Sequence, residues 1–235
     1  EKNKIGKDNN QLFFLSHCTA GTELSANQDE ETEHETFQME MEQDSQRFAF
    51  RTFSGKYWVL GPGGIQASIS QPNKDSWFDM EWHGRQVALK APNGKYVAPR
   101  KNGQLAAQAD IAGEVEKFVL KIINRPLLVL RGEYGFMGVR KGSPALDGNR
   151  SSHDVFQLHF ADGAYTIQDG AGRSWVVDDQ GAVSLGPDGT PFLLQLCNNG
   201  RLALQAPNGR YVGSDQAGRV TANGEEPTGA NTWEF

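Results

Sequence analysis

The stretch Arg85-Gln86-Val87-Ala88-Leu89-Lys90-Ala91-Pro92-Asn93-Gly94-Lys95-Tyr96-Val97 returns, one residue shorter, as Arg201-Leu202-Ala203-Leu204-Gln205-Ala206-Pro207-Asn208-Gly209-Arg210-Tyr211-Val212. After the first copy come Gly103-Gln104-Leu105-Ala106-Ala107 and Phe118-Val119-Leu120. After the second come Gly218-Arg219-Val220-Thr221-Ala222 and Trp233-Glu234-Phe235. Agreement over this length is not chance. The same Gly-basic-aromatic turn stands at Gly55-Lys56-Tyr57-Trp58 and Gly172-Arg173-Ser174-Trp175, and in degenerate form at Gly135-Phe136. Aromatics that close the units fall at Phe37, Phe78, Phe118, Phe156, Phe192 and Trp233, spaced 41, 40, 38, 36 and 41. Self-similarity at such a fixed period marks a repeat architecture, here of six units.

Inside each unit the apolar residues alternate, as in Val87, Leu89, Ala91 and in Leu202, Leu204, Ala206, with Asn-Gly or Ser-Gly between the runs. Period two with such turns predicts half-buried strands joined as hairpins, about four per unit, and an all-β fold. The turn glycine is expected to adopt a positive φ. Tyr57, Tyr96 and Tyr211, which recur at one structural position, are expected to pack rather than to contact a ligand. The acidic stretch 28–36 is expected to form at most a turn of helix. Six such units build either one six-bladed propeller or two closed three-unit barrels. The Gly-His and Trp-Asp dipeptides of common propeller repeats are absent. Two barrels are therefore expected, divided at Asn124-Arg125-Pro126, where proline disrupts a continuing strand.

Composition narrows the function. The chain has 23 Lys and Arg against 29 Asp and Glu, a net charge of −6. Nine of the acids lie between Glu23 and Asp44 with no Lys or Arg among them, so the rest carries a small basic excess. That leaves room for a local cationic patch facing an acidic partner and argues against general nucleic-acid binding. Leu12-Phe13-Phe14-Leu15 is too short an apolar run for a signal peptide or a membrane span. Cys18 and Cys197, the only cysteines, sit in no paired spacing, so a reducing, cytoplasmic home is expected and neither a disulfide framework nor a zinc site.

Several segments carry a resemblance to the fascins, actin-bundling proteins built of four tandem β-trefoils. They are Leu24-Ser25-Ala26-Asn27-Gln28-Asp29-Glu30-Glu31-Thr32, Lys101-Asn102-Gly103-Gln104-Leu105-Ala106-Ala107, Ile123-Asn124-Arg125-Pro126, Arg131-Gly132-Glu133-Tyr134-Gly135-Phe136, Leu146-Asp147, Asn149-Arg150-Ser151-Ser152, Asp154-Val155-Phe156-Gln157-Leu158, Asp162-Gly163-Ala164-Tyr165 and Trp233-Glu234-Phe235. The chain resembles the third and fourth trefoils of a vertebrate fascin paralogue from about Gly21 to the end. This implies two tandem β-trefoils, 21–124 and 125–235, after a divergent segment 1–20. The first repeat lacks the Gly-basic-aromatic turn and is expected to be incomplete or rebuilt.

The resemblance further implies a monomeric, non-enzymatic, cofactor-free protein of the actin cytoskeleton. It would bind filamentous actin and cross-link it into parallel bundles in filopodia or other actin-rich projections, with neither nucleic acid nor membrane insertion. Its implied actin-contacting positions are Lys95, Arg100, Lys101, Glu133, Tyr134, Arg140 and Lys141. A family lysine after the last Gly-basic-aromatic turn is replaced by Gly213. The first two trefoils of the family have no counterpart here, so weakened bundling is expected. As the alternative, a trefoil can serve as a carbohydrate-binding, lectin-like module, but no Trp is preceded by the Gln-x of the ricin type.

No catalytic constellation is evident. Ser152-His153-Asp154 has triad residue types, but neighbours on an extended strand point to opposite faces and cannot form the relay. Gly61-Pro62-Gly63-Gly64 lacks the Gly-Lys-Ser/Thr and the helix of a phosphate loop. No His-x-x-x-His or Cys-x-x-Cys pair stands ready for a metal. The acidic run 28–35 lacks the glycine and terminal glutamate of a calcium loop.

Overall fold

A computed structural model of the chain describes residues 14–17, 22–28, 33–42, 44–122 and 126–235. Backbone contacts divide it after Leu120 into two units, the second being Lys121–Phe235. The expected junction at Asn124–Arg125 lies outside the described residues, as do Cys18 and residues 29–32 of the acidic run. The described residues contain no α-helix, only three short 3-10 turns, one of them Glu33–Glu35.

The first unit holds β1 (Phe14–His17), β2 (Leu24–Gln28), β3 (Phe37–Met41), β4 (Phe48–Thr52), β5 (Tyr57–Gly61), β6 (Gly64–Ile69), β7 (Asp79–His83), β8 (Gln86–Lys90), β9 (Tyr96–Pro99), β10 (Leu105–Ala109) and β11 (Lys117–Phe118). The second holds β12 (Leu127–Leu128), β13 (Phe136–Val139), β14 (Leu146–Arg150), β15 (Phe156–Ala161), β16 (Ala164–Gln168), β17 (Ser174–Val177), β18 (Val183–Gly186), β19 (Leu193–Cys197), β20 (Arg201–Gln205), β21 (Tyr211–Ser214) and β22 (Val220–Gly224). Each unit is a β-trefoil. The first repeat of the chain, despite lacking the recurring turn, still supplies an antiparallel pair, β1 with β2.

One pattern builds the complete repeats. Strands one and two pair along five residues, as Asp79↔Lys90 through His83↔Gln86 and Leu193↔Gln205 through Cys197↔Arg201. Asp162-Gly163, the turn between β15 and β16, has φ +52° and +73°, the two positive values a tight type I′ hairpin needs. Strands two and three then meet at a single pair and diverge: Arg51↔Tyr57, Lys90↔Tyr96, Gln168↔Ser174 and Gln205↔Tyr211. The intervening turn is the Gly-basic-aromatic motif. In its four copies the glycine φ is +77° to +79°, as expected, and its N–H donates to the carbonyl three residues back: Gly55 to Thr52, Gly94 to Ala91, Gly172 to Asp169 and Gly209 to Ala206.

Five of the closing aromatics are seen to complete their repeats by returning to the second strand. Phe78 pairs with Phe48, Phe118 with Val87, Phe156 with Leu128, Phe192 with Tyr165 and Trp233 with Leu202. Their side chains fill the core, where Trp175 meets Phe156 and Phe192 edge-on at 5.1 and 6.2 Å, and Trp58 meets Phe37 and Phe78 at 4.9 and 6.2 Å. Equivalent positions of the three repeats are buried alike. In the second unit Met137, Trp175 and Val212, and likewise Leu130, Ile167 and Leu204, are all fully buried in one core cluster; in the first, Leu24, Ile65 and Leu105 are equally buried.

The alternation expected along the second strands is broken by small residues. Ala49, Ala88 and Ala203 are as buried as their apolar neighbours although they point to the opposite face. The reason is a polar brace. Tyr57, on the third strand, donates its hydroxyl to Glu40 on the first at 2.9 and 3.0 Å, and Ala49 lies between them on the second, directly opposite Glu40. Tyr96 reaches Glu81 across Ala88 at 2.9 Å, and Tyr211 reaches Gln195 across Ala203 at 3.2 Å. A larger residue beneath the ring would push it off its acceptor.

Two measurements test this packing. Replacing Phe118 with Ala should destabilise the first unit by about 3–5 kcal/mol, the range for truncating a buried aromatic, seen as a lower denaturant midpoint. An unaltered unfolding curve would show that Phe118 is no anchor. The braces predict alkaline sensitivity. Burial and the Glu40 bond raise the Tyr57 pKa above 10.0, and the Glu81 bond with burial raises that of Tyr96. Because the folded state holds these protons more tightly, the stability they confer is full below that value and is lost as pH rises through it. The double variant Tyr57→Phe, Tyr96→Phe should therefore lose less of its stability between about pH 9 and about pH 11 than the parent does; equal slopes would refute the brace.

Candidate functional site

The positions implied by the resemblance occupy two kinds of turn. Lys95, Glu133 and Tyr134 lie in turns between second and third strands, whereas Arg100–Lys101 and Arg140–Lys141 lie in turns between third and fourth strands. In the first unit they flank β9, and in the second they flank β13. From Lys95 to Arg100 is five steps of extended chain, about 16 Å, so the two sets sit at opposite ends of one strand and do not converge within a unit.

Their surroundings differ. The Lys95 ammonium pairs with Asp110 on the surface. The Arg100 guanidinium donates to the Gly63 carbonyl at 2.9 Å and to Gln104 Oε1 at 3.3 Å, tying two hairpins together. Lys101 is exposed, and no described residue pairs with it. Arg140 donates to Asp147 Oδ1 through Nε at 2.9 Å and Nη2 at 2.5 Å, a bond that raises the guanidinium pKa further. Lys141, next in the chain, projects freely from the same turn. Glu133 and Tyr134 are exposed in a turn closed by the Gly132 N–H donating to the Gly135 carbonyl at 2.8 Å. Behind them Arg131 lies over the Phe136 ring at 5.6 Å.

Gly213 cannot regain a side chain cheaply. A Cβ there would fall 2.3 Å from Asn231 Oδ1 and 2.9 Å from the Ala230 carbonyl, so the lysine the resemblance leads one to expect is excluded by packing as well as by sequence. The hairpin that carries Gly213 also carries Arg219, a cation the sequence reading did not single out. Its signal was present: Arg219 stands in the repeat where Gln104 stands in Gly103-Gln104-Leu105.

The residue types that suggested chemistry are otherwise engaged. Asp154 Oδ2 accepts from the Val139 N–H at 2.7 Å and from Arg150 Nη1 at 2.9 Å, while the His153 ring packs on Phe136 at 5.7 Å. Asp169, buried at a turn, is pushed up by burial but brought below 3.8 by bonds from the Arg173 and Ala171 N–H groups and the Arg173 guanidinium. Burial pushes the half-buried Cys197 thiol up, away from the reactive thiolate. Among the described residues no three His, Cys, Asp or Glu side chains gather to hold a metal, and no helix is long and apolar enough to cross a membrane.

A family model described as the Fascin domain matches residues 11–120 and 133–235. Fascin-2 of Bos taurus is 48% identical over 217 residues, covering 92% of this chain and 44% of the bovine protein. Human Fascin-2 is 46% identical over the same shares. Fascin of Strongylocentrotus purpuratus is 35% identical over 86% of this chain and 41% of its own length. The chain thus spans less than half of the curated relatives it matches. Among solved structures, hisactophilin covers 47% of this chain at 18% identity with a TM-score of 0.36, too slight a likeness to carry weight. Matched by its domain model over both trefoils and by relatives along nearly all of its length, the chain belongs to the fascin family.

Proposed function

We propose that this chain binds filamentous actin through the cationic turns that flank β9 and β13, as part of a non-enzymatic cross-linker of actin bundles in the cytoplasm. The observation that carries the reading is membership of the fascin family along both trefoils. The geometry supports it. Lys101 and Lys141 project from tight hairpin turns on packed trefoils, so little side-chain anchorage must be broken for them to meet an acidic polymer. Attraction of this kind speeds encounter and weakens as salt rises. The chain acts as a monomer. A bundler must grip two filaments at once, and the principal surface implied for the family joins its first and last trefoils. These 235 residues, taken alone, therefore bind filaments weakly and bundle them poorly.

Sedimentation with actin filaments tests this. At high speed and low salt the pure chain should pellet with filaments, and at low speed it should not. Robust low-speed pelleting by the monomer would contradict the account of bundling, and no pelleting at either speed would contradict binding. The variant Arg140→Glu, Lys141→Glu should bind several-fold more weakly while melting like the parent; unchanged affinity would move the contact elsewhere.

A further inference from the structure

We propose that Arg219 joins Arg140 and Lys141 in one three-cation patch on the second unit, and that this patch docks against acidic side chains of the filament. The inference rests on the filament-binding reading above and names a residue which that reading did not contain.

The fold assembles the patch. The hairpins β13–β14, β17–β18 and β21–β22 bridge one another cyclically through Ala145↔Ser184, Ala182↔Thr221 and Asp147↔Arg219, so their turns gather at one end of the unit. Asp147 and Arg219 stand opposite each other on neighbouring hairpins, which puts their Cβ atoms about 4.5–5.5 Å apart on a shared face. The same Asp147 holds Arg140. One carboxylate therefore has a guanidinium bonded to it from the first repeat and another placed beside it by the third. The approach is fixed by backbone. The Gly148 N–H donates to the Gly218 carbonyl at 2.9 Å, and Asn149 Nδ2 donates to the Gln216 carbonyl at 3.2 Å. A Cβ on Gly148 would lie 2.3 Å from Ser214 Cβ, so the hairpins are as close as they can come.

The facing charges set the sign. Asp215 is folded back, its Oδ1 accepting from the Arg219 N–H at 2.8 Å, and Asp147 is bonded to Arg140. Asp178, on the middle hairpin, accepts from the Gln180 and Ala182 N–H groups at 2.9 and 2.8 Å; Asp179 beside it is exposed. Asp178 and Asp215 are turned onto backbone and Asp147 onto the Arg140 guanidinium, whereas Lys141 and Arg219 are exposed and no described carboxylate pairs with either. Exposed cations thus lie on the first and third hairpins, and the acidic second hairpin bounds them on one side. In the equivalent place of the first unit Gln104 is buried and bonded to Arg100, so the third cation is particular to the second unit.

The test compares Arg219→Glu, Lys141→Glu and Lys74→Glu with the parent chain in filament co-sedimentation at low and high salt, and in retention on immobilised polyglutamate. All three substitutions change net charge equally, and Lys74 lies outside the patch. Arg219→Glu should weaken filament binding about three- to tenfold at low salt, as Lys141→Glu does, with the gap narrowing in high salt, and should elute earlier from polyglutamate. Lys74→Glu should match the parent in both. Wild-type affinity for Arg219→Glu, or an equal loss from Lys74→Glu, would overturn the patch. If Arg219→Glu and Lys141→Glu both lose polyglutamate retention and Lys74→Glu does not, while the parent ignores filaments, the cation cluster stands and its filament occupant is refuted. Melting curves establish that the variants fold; the Arg219 turn is held by its own backbone and Asp215.

Discussion

Among the described residues, five repeats depend on an aromatic that returns some thirty residues later to pair with the repeat's own second strand. Phe78 closes on Phe48, Phe118 on Val87, Phe192 on Tyr165 and Trp233 on Leu202. Bringing such distant residues together costs chain entropy that a few backbone bonds do not offset. Burying a Phe or Trp ring at the point of closure does. Once the second strand has its outer edge occupied in this way, the third strand can touch it at only one pair and must leave. The hairpins of third and fourth strands that result bring their turns, and the cations in those turns, to the ends of the units.

The design separates holding from contacting. Apolar layers and the Tyr–Glu and Tyr–Gln braces keep the strands in place, and none of the exposed cations takes part in them. Arg100 is the exception, since its guanidinium links Gly63 and Gln104. Charges on the turns can therefore vary between repeats while the glycine-centred backbone beneath them stays the same, as it does from Gln104 to Arg219.

Much of this was legible in the residues. The spacing of Phe37, Phe78, Phe118, Phe156, Phe192 and Trp233 gave the repeat, Asn93-Gly94 and Asn208-Gly209 gave the turns, and together they led to two closed three-unit barrels, which the resemblance made trefoils. The buried Ala49, Ala88 and Ala203 were not foreseen, because strict alternation assumes one solvated face and the braces that cover them join residues on three strands. Nor was Arg219, since neighbouring hairpins meet through pairings such as Asp147↔Arg219 that no local pattern reveals. The resemblance named positions at both ends of β9 and β13, and only the fold shows that these ends are apart.

The central claim is that cations on the hairpin turns of rigid trefoils meet the acidic surface of a filament. Zero-length carbodiimide cross-linking to actin filaments, read by peptide mass spectrometry, tests it most directly, because it joins an amine only to a carboxylate in contact. The account predicts links from Lys101 and Lys141 to actin carboxylates and none from Lys74. Links confined to Lys74, or none at either turn lysine, would contradict it.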